Sequence, residues 1–143
     1  MKTTFIIFLL LISLRAAAPN IIELCILQNG PINPFDKIIR AVGMVESKCN
    51  PQAINETEGA FGYFQIRGIR LLDYNQRTKS HYKLADMLDF NIAKRVFLYY
   101  ASKIGIENSD KIIRRWNGSG SLTYQYLKKV SVYLNNPQFN GST

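Results

Sequence analysis

The sequence predicts a mainly helical domain with one small β segment. Four stretches place apolar residues at helical spacing, whereas a single short stretch is rich in glycine and aromatic residues. The chain has 143 residues, of which 47% are hydrophobic and 20% are charged. This composition is typical of one globular domain rather than of a disordered chain.

The N-terminal segment has the layout of a secretory signal peptide. The positively charged start "MKTT" is followed by the apolar residues 5–14, "FIIFLLLISL", and then by "RAAAP" with an A-x-A site. We therefore expect a signal peptide over residues 1–18 and the folded domain over residues 19–143. An uncleaved anchor that continues through "IIELCIL" is the alternative, although Arg15, Asn20 and Glu23 interrupt that run.

Export would place the two cysteines of the chain, Cys25 and Cys49, in an oxidising compartment. A disulfide between them would close a loop of about 25 residues and contribute roughly 3 kcal/mol on the chain-entropy view. Two buried free thiols are the alternative.

The net charge is +8, and it falls to +6 if Lys2 and Arg15 leave with the signal peptide. A basic exported domain suits an anionic partner, such as a cell-wall polymer, a membrane surface or a nucleic acid. No nucleic-acid motif accompanies the scattered basic residues, so we expect no nucleic-acid partner. The lone His81 has no partner cluster and is expected at the surface, and no metal or cofactor is expected.

The first predicted helix is "NPFDKIIRAVGMVES", which Asn33 can cap and which Pro34 and Asp36 suit in the first turn. "NP" at 50–51 ends it. Its apolar stripe consists of Phe35, Ile38, Ile39, Val42 and Val45.

The remaining elements follow in chain order. "GAFGYFQI" predicts a turn and a short extended segment, and "LADMLDFNIAKRVFLYYASKIG" predicts one long helix that ends near Gly105. "SDKIIRRWNG" begins with the cap residues Ser109 and Asp110 and stops at "NGSG". "SLTYQYLKKVSVYLNN" is a last helix before the polar tail "PQFNGST", and its predicted apolar face consists of Leu122, Tyr126, Val130 and Tyr133.

Glu46 lies on the apolar stripe of the first helix, near its C-terminal end. It follows Val42 by four residues and Ile39 by seven, and these positions share a face within about 40°. Desolvation and the negative end of the helix dipole both disfavour the charged carboxylate there. The pKa of Glu46 is therefore expected to rise, as a general acid requires. A solvent-exposed glutamate at a helix end is the alternative.

The stretch "ESKCNPQAINETEGAFGYFQI" resembles the signature of lytic transglycosylases of the SLT type, which are relatives of goose-type lysozyme. "NIAKRVFLYY" resembles the central helix of that family, "RWNGSG" its third motif and "YLKKVSVY" its closing helix. The resemblance covers roughly residues 30–134. The elements that carry the first motif are Glu46-Ser47, Asn50-Pro51, Ala53, Asn55, Gly59-Ala60, Gly62 and Gln65-Ile66.

The resemblance implies a lysozyme-like α+β fold with a glycan cleft. The implied substrate is peptidoglycan, cut between N-acetylmuramic acid and N-acetylglucosamine, and the implied location is the periplasm or the cell wall. Glu46 matches the catalytic acid of the family. The implied substrate-binding residues are Ser47, which helps to orient the acid, Tyr63, Gln65, Trp116 and Asn117.

Three positions depart from the family pattern. Trp116 stands where a tyrosine is usual, and an indole offers only an N–H donor. A core tryptophan that anchors the last helix is the alternative to a sugar contact. Arg67 stands where methionine is common and adds charge at the edge of the cleft. Cys49 stands where the family often has an aromatic residue after the Glu-Ser pair, and this replacement favours the disulfide.

The sequence is compatible with three functions. The first is a monomeric lytic transglycosylase that needs one carboxylate, and its small size resembles members that open the wall for a secretion or conjugation apparatus. The second is a hydrolysing lysozyme that uses Glu46 and a second carboxylate, Glu56, from the loop that also carries Glu58. Solvated loop charges are the alternative for Glu56 and Glu58. The third is a non-catalytic glycan-binding assembly protein, which the replacement at Trp116 favours.

Overall fold

The computed structural model describes residues 33–137 of the chain. Among these residues there are five α-helices, and a three-stranded antiparallel sheet lies between the first and second of them along the chain. Residues 34–137 belong to one compact unit. The helices are α1 (Asp36–Ser47), α2 (Gly68–Thr78), α3 (Phe90–Ser102), α4 (Ser109–Asn117) and α5 (Leu122–Leu134). The strands are β1 (Ile54–Asn55), β2 (Ala60–Phe61) and β3 (Ile66–Arg67), and two 3-10 helices span Leu84–Leu88 and Ile106–Asn108.

The prediction of a mainly helical chain with a small sheet is therefore confirmed for the described residues. The expected signal peptide, Cys25 and the tail from residue 138 onward lie outside them. Within the described part, no helix is both long enough and apolar enough to cross a membrane.

Helix α1 buries the apolar stripe that the sequence predicts, with Ile38, Ile39 and Val42 at most 3% exposed. The helix begins later than predicted, because its first carbonyl acceptor belongs to Phe35, which receives the Ile39 N–H at 2.8 Å. Asn33 and Pro34 therefore precede the helix instead of capping and opening it. Lys48 then ends α1 in the left-handed conformation.

The sheet is short because its strands have two residues each. Ile54 pairs with Phe61, and Ala60 pairs with Arg67. The turn after β2 depends on Gly62, which has a φ of +76° and donates its N–H to the Ala53 carbonyl at 2.8 Å. A Cβ at Gly62 would lie 1.9 Å from the Met87 carbonyl oxygen, so only glycine fits this turn.

Helix α2 follows β3 directly and was not predicted from the sequence. Its sequence, GIRLLDYNQRT, is mostly polar, and only Leu71 and Tyr74 of its 11 residues are buried. The single long helix predicted over 84–105 is also wrong, because Asp89 divides it. The Asp89 carboxylate accepts the N–H groups of Asn91 and Ile92 at 2.8 and 3.0 Å, so it caps α3 and separates this helix from the preceding 3-10 turn. Helix α3 then ends at Ser102, before Gly105.

Helix α5 packs against α1 and α4 and closes the core. Tyr126 and Val130 are buried as predicted, whereas Leu122 is 69% exposed and the next residue, Thr123, is buried instead. The centre of the core is aromatic, with the rings of Phe64 and Phe97 stacked at 4.6 Å between centroids. This arrangement brings one face of α5 onto the C-terminal end of α1. His81 is exposed, as predicted.

Candidate active site

The last turn of α1 opens onto a cavity of about 640 Å³, which we call the cleft. Lining residues come from the C-terminal end of α4 and the glycine after it, and from β3 and α2. The residues that line the cleft are Glu46, Glu58, Gln65, Arg67, Ile69, Arg70, Leu72, Asp73, Gln76, Tyr100, Trp116, Asn117 and Gly118. Four of the residues that the sequence singled out thus meet in one place: Glu46, Gln65, Trp116 and Asn117.

A tyrosine of α5, the last helix, holds Glu46 in the wall of the cleft. The Tyr126 hydroxyl donates a hydrogen bond to Glu46 Oε1 at 2.6 Å. Burial and the neighbouring carboxyl both raise the pKa of Tyr126, so its hydroxyl keeps the proton that it donates. The family resemblance implies such a hydroxyl at position 116, where this chain has tryptophan. Tyr126 supplies it instead, and its only sequence signal was its place on the apolar face of the last helix.

Burial raises the pKa of the Glu46 carboxyl above its ordinary value of 4.5, in the direction that the sequence analysis expected. The hydrogen bond from Tyr126 and the charges of Arg67 and Arg70 act against this rise without cancelling it, and the Glu58 charge adds to it. A carboxyl with a raised pKa can hold a proton closer to neutral pH and deliver it to a leaving oxygen.

Two other carboxylates line the cleft, and both are held by cations. Glu58 forms an ion pair with Arg67 at the rim. Asp73 accepts hydrogen bonds at 2.7 Å from the Tyr100 hydroxyl and at 2.7 Å from Arg77 Nε. These two hydrogen bonds lower the pKa of Asp73, so it carries a negative charge where Glu46 can be neutral. Asp73 was not among the predicted site residues, because it lies on α2, which was not predicted.

Gln65 and Asn117 both line the cleft and offer amide groups to a ligand. The Gln65 side-chain nitrogen donates to the Gly62 and Ala53 carbonyls at 2.9 and 3.3 Å, which orients the amide. Gln65 has a φ of +49°, an uncommon conformation for a residue with a Cβ. Asn117 is exposed at the end of α4. Both side chains can form hydrogen bonds with sugar hydroxyl or acetamido groups.

Trp116 lines the cleft, but most of it belongs to the core. It is only 6% exposed, its indole N–H donates to the Phe64 carbonyl at 3.3 Å, and its ring contacts Phe97 edge-on. The Arg70 guanidinium lies 4.2 Å from the centre of its ring and donates to its carbonyl at 2.7 Å. Arg70 therefore covers part of the indole that the sequence analysis expected a sugar to contact.

Ser47 and Tyr63, which were expected at the sugar, lie beneath the cleft instead of lining it. The Ser47 hydroxyl donates to the Tyr63 carbonyl at 2.8 Å and ties the end of α1 to the turn before β3. The Tyr63 ring is buried against α1, where a Cβ on Gly43 would lie 1.9 Å from it. These contacts place the last turn of α1, and so Glu46, relative to the sheet.

Glu56 is exposed in the turn between β1 and β2 and is not among the residues that line the cleft; its near neighbour Glu58 is. Cys49 carries a thiol whose sulfur lies 3.3 Å from the Tyr63 hydroxyl, which donates to it. Since Cys25 lies outside the described residues, the disulfide stays a prediction.

Within residues 33–137, no group of three or more His, Cys, Asp or Glu side chains is placed to hold a metal ion. The cleft instead offers one protonatable carboxyl, two paired carboxylates, amide groups and two arginines. This set can move a proton and bind a polar ligand through hydrogen bonds.

Comparison of the chain with protein-family models, with curated proteins and with solved structures finds no match.

Proposed function

We propose that the protein is an exported lytic transglycosylase that cuts peptidoglycan strands at the bond between N-acetylmuramic acid and N-acetylglucosamine. One observation carries the proposal. Glu46 is the carboxyl of the cleft whose pKa is raised, whereas Glu58 and Asp73 are both held by cations. The site therefore supplies one acid that can exchange a proton, which is what this reaction needs.

In the proposed reaction, Glu46 first protonates the glycosidic oxygen, and the bond from that oxygen to C1 of the muramic acid breaks. The resulting carboxylate then takes the proton from the C6 hydroxyl of the same sugar. The freed O6 forms a bond to C1, and a 1,6-anhydro ring closes. Glu46 ends with a proton, as it began, so no second protein carboxylate and no water is consumed.

Each neighbour of Glu46 has a part in this proposal. The Tyr126 hydroxyl stabilises the carboxylate that forms after the first proton transfer. Ser47 fixes the end of α1 through the Tyr63 carbonyl, so that the acid keeps its place. Gln65 and Asn117 would bind sugar substituents. Such positioning is expected to matter because small displacements of a catalytic group reduce the rate strongly.

Hydrolysis is the second candidate, and the position of the Asp73 carboxylate in the cleft favours it. A hydrolysing enzyme pairs an acid with a base or a nucleophile, and Asp73 is a charged carboxylate that lines the same cleft as Glu46. Glu56, the partner expected from the sequence, is not among the lining residues. The low pKa of Asp73 makes it a weak base, which favours the transglycosylase. A non-catalytic glycan-binding role would leave the raised pKa of Glu46 without a use.

Mass spectrometry of digested cell walls tests the proposal. We expect muropeptides with 1,6-anhydro ends, which are lighter than reducing ends by one water. Glu46→Gln should lower turnover by about 10²- to 10⁴-fold, because it removes the transferable proton at little change in volume. Glu56→Gln is the matched control and should keep turnover. If the wild-type protein gives reducing ends and Asp73→Asn gives none, the protein is a hydrolase. If the wild-type protein does not cut the wall, the glycan-binding role remains.

A further inference from the structure

A second cavity of about 330 Å³ lies behind Trp116, and we call it the rear cavity. Its floor is apolar and comes from α3, from Ile104 just after that helix and from α4, with Phe97, Ala101 and Ile112 also among the lining residues. A cavity of this size and character fits small apolar side chains better than it fits a sugar ring with its many hydroxyl groups.

The charged residues that line the rear cavity are all cations: Arg70, Lys103, Lys111 and Arg115. Lys103 donates to the Tyr99 hydroxyl at 2.7 Å. Lys111 and Arg115 are exposed, and neither forms an ion pair or a side-chain hydrogen bond with another described residue. These two side chains are therefore available to an anionic ligand, and no carboxylate among the lining residues competes for them.

The rear cavity adjoins the cleft. Arg70, Tyr100 and Trp116 line both. The Arg70 guanidinium lies 4.2 Å from the centre of the Trp116 ring and 5.3 Å from that of Tyr100, so it forms part of the wall between the two cavities. A ligand with a sugar in the cleft and a short side branch can therefore contact both cavities at once.

We infer that the rear cavity binds the peptide stem of the glycan that the cleft binds, an inference that rests on the proposed function. A peptidoglycan stem is joined to muramic acid and carries methyl side chains and free carboxylates. Its methyl groups match the apolar floor, and its carboxylates match Lys111 and Arg115. Four extended residues span about 13 Å, which lets a stem reach beyond the sugar that bears it.

Binding measurements in the Glu46→Gln background test this inference, since they need no cleavage. The probes are soluble glycan strands with tetrapeptide stems and the same strands after an amidase has removed the stems. Calorimetry should show tighter binding of the stem-bearing strands. The added substitutions Lys111→Glu and Arg115→Glu should reduce that preference by about tenfold, because two charge-assisted contacts become repulsive. The control carries Lys37→Glu and Lys129→Glu, two exposed cations that line neither cavity, and should keep the preference.

The possible results are distinct. Equal affinity for both strands overturns the inference while leaving the proposed function in place. A preference that persists in the Lys111→Glu/Arg115→Glu variant, or that also disappears in the control, overturns the assignment to the rear cavity. Binding of neither strand overturns this inference together with the proposed function. A preference that the rear-cavity variant alone loses supports the inference, even if the wild-type protein cuts no glycan.

Discussion

Replacing Tyr126 by phenylalanine removes one oxygen atom from the wall behind Glu46 and leaves the ring in place. The lost contact is the 2.6 Å hydrogen bond to Glu46 Oε1. This bond stabilises the charged carboxylate and lowers its pKa, against the burial that raises it. Without the bond, the pKa of Glu46 must rise further.

The expected rise in the pKa of Glu46 follows from the strength of a hydrogen bond between a hydroxyl and a charged carboxylate. A hydrogen bond to a charged group contributes about 1.5–3 kcal/mol, and 1.36 kcal/mol corresponds to one pKa unit. Tyr126→Phe should therefore raise the pKa of Glu46 by about 1–2 units. Since the proposed acid must be protonated, activity on the basic side of the pH profile should extend to higher pH by the same amount. The maximal rate should fall, because the carboxylate formed in the reaction loses its donor.

Carbon-13 NMR titration of the Glu46 carboxyl measures this pKa directly, whether or not the protein cuts glycan. The pH profile of glycan cleavage then provides the second reading. Tyr124→Phe is the matched control, since Tyr124 lies on the same helix, is 56% exposed and is not among the hydrogen-bond partners of Glu46. An unchanged or lowered pKa in Tyr126→Phe would show that the hydrogen bond does not govern this carboxyl.

Three further predictions follow from the same contacts. Glu46→Gln should become more stable relative to the wild type as the pH rises above about 4.5, because the pKa of Glu46 is raised in the folded state. The contribution of the protonated Glu46 carboxyl to wild-type stability is fully present below its unfolded-state pKa and is lost as the pH rises through its folded-state pKa. Urea unfolding at acidic and at neutral pH measures this difference, and a constant difference contradicts it. Trp116→Ala should lose about 3–5 kcal/mol of stability, because the side chain is 6% exposed in an aromatic core; a variant with wild-type unfolding and weaker glycan binding would place it at the sugar alone. Cys25 and Cys49 should both resist thiol labelling in the denatured, unreduced mature protein, and labelling of both would exclude the disulfide.

The sequence by itself determined the features that depend on local pattern. The apolar spacing of α1 placed Glu46 on a buried face in the last helical turn, and burial there raises its pKa as predicted. The glycine pattern predicted the turn around Gly62, where a positive φ and a nearby carbonyl exclude any side chain. Both predictions succeeded because helical phase and turn chemistry involve residues that are close along the chain.

Only the tertiary structure decided what surrounds the acid. Tyr126 lies 80 residues after Glu46, and it reaches the carboxyl because α5 packs across α1. Arg70 and Asp73 come from α2, a mostly polar helix that buries only Leu71 and Tyr74 and that was not predicted. The same packing placed Glu58 rather than Glu56 in the cleft and Ser47 beneath it. Periodicity shows which face of a helix is buried, but the group that meets that face depends on how distant elements pack together.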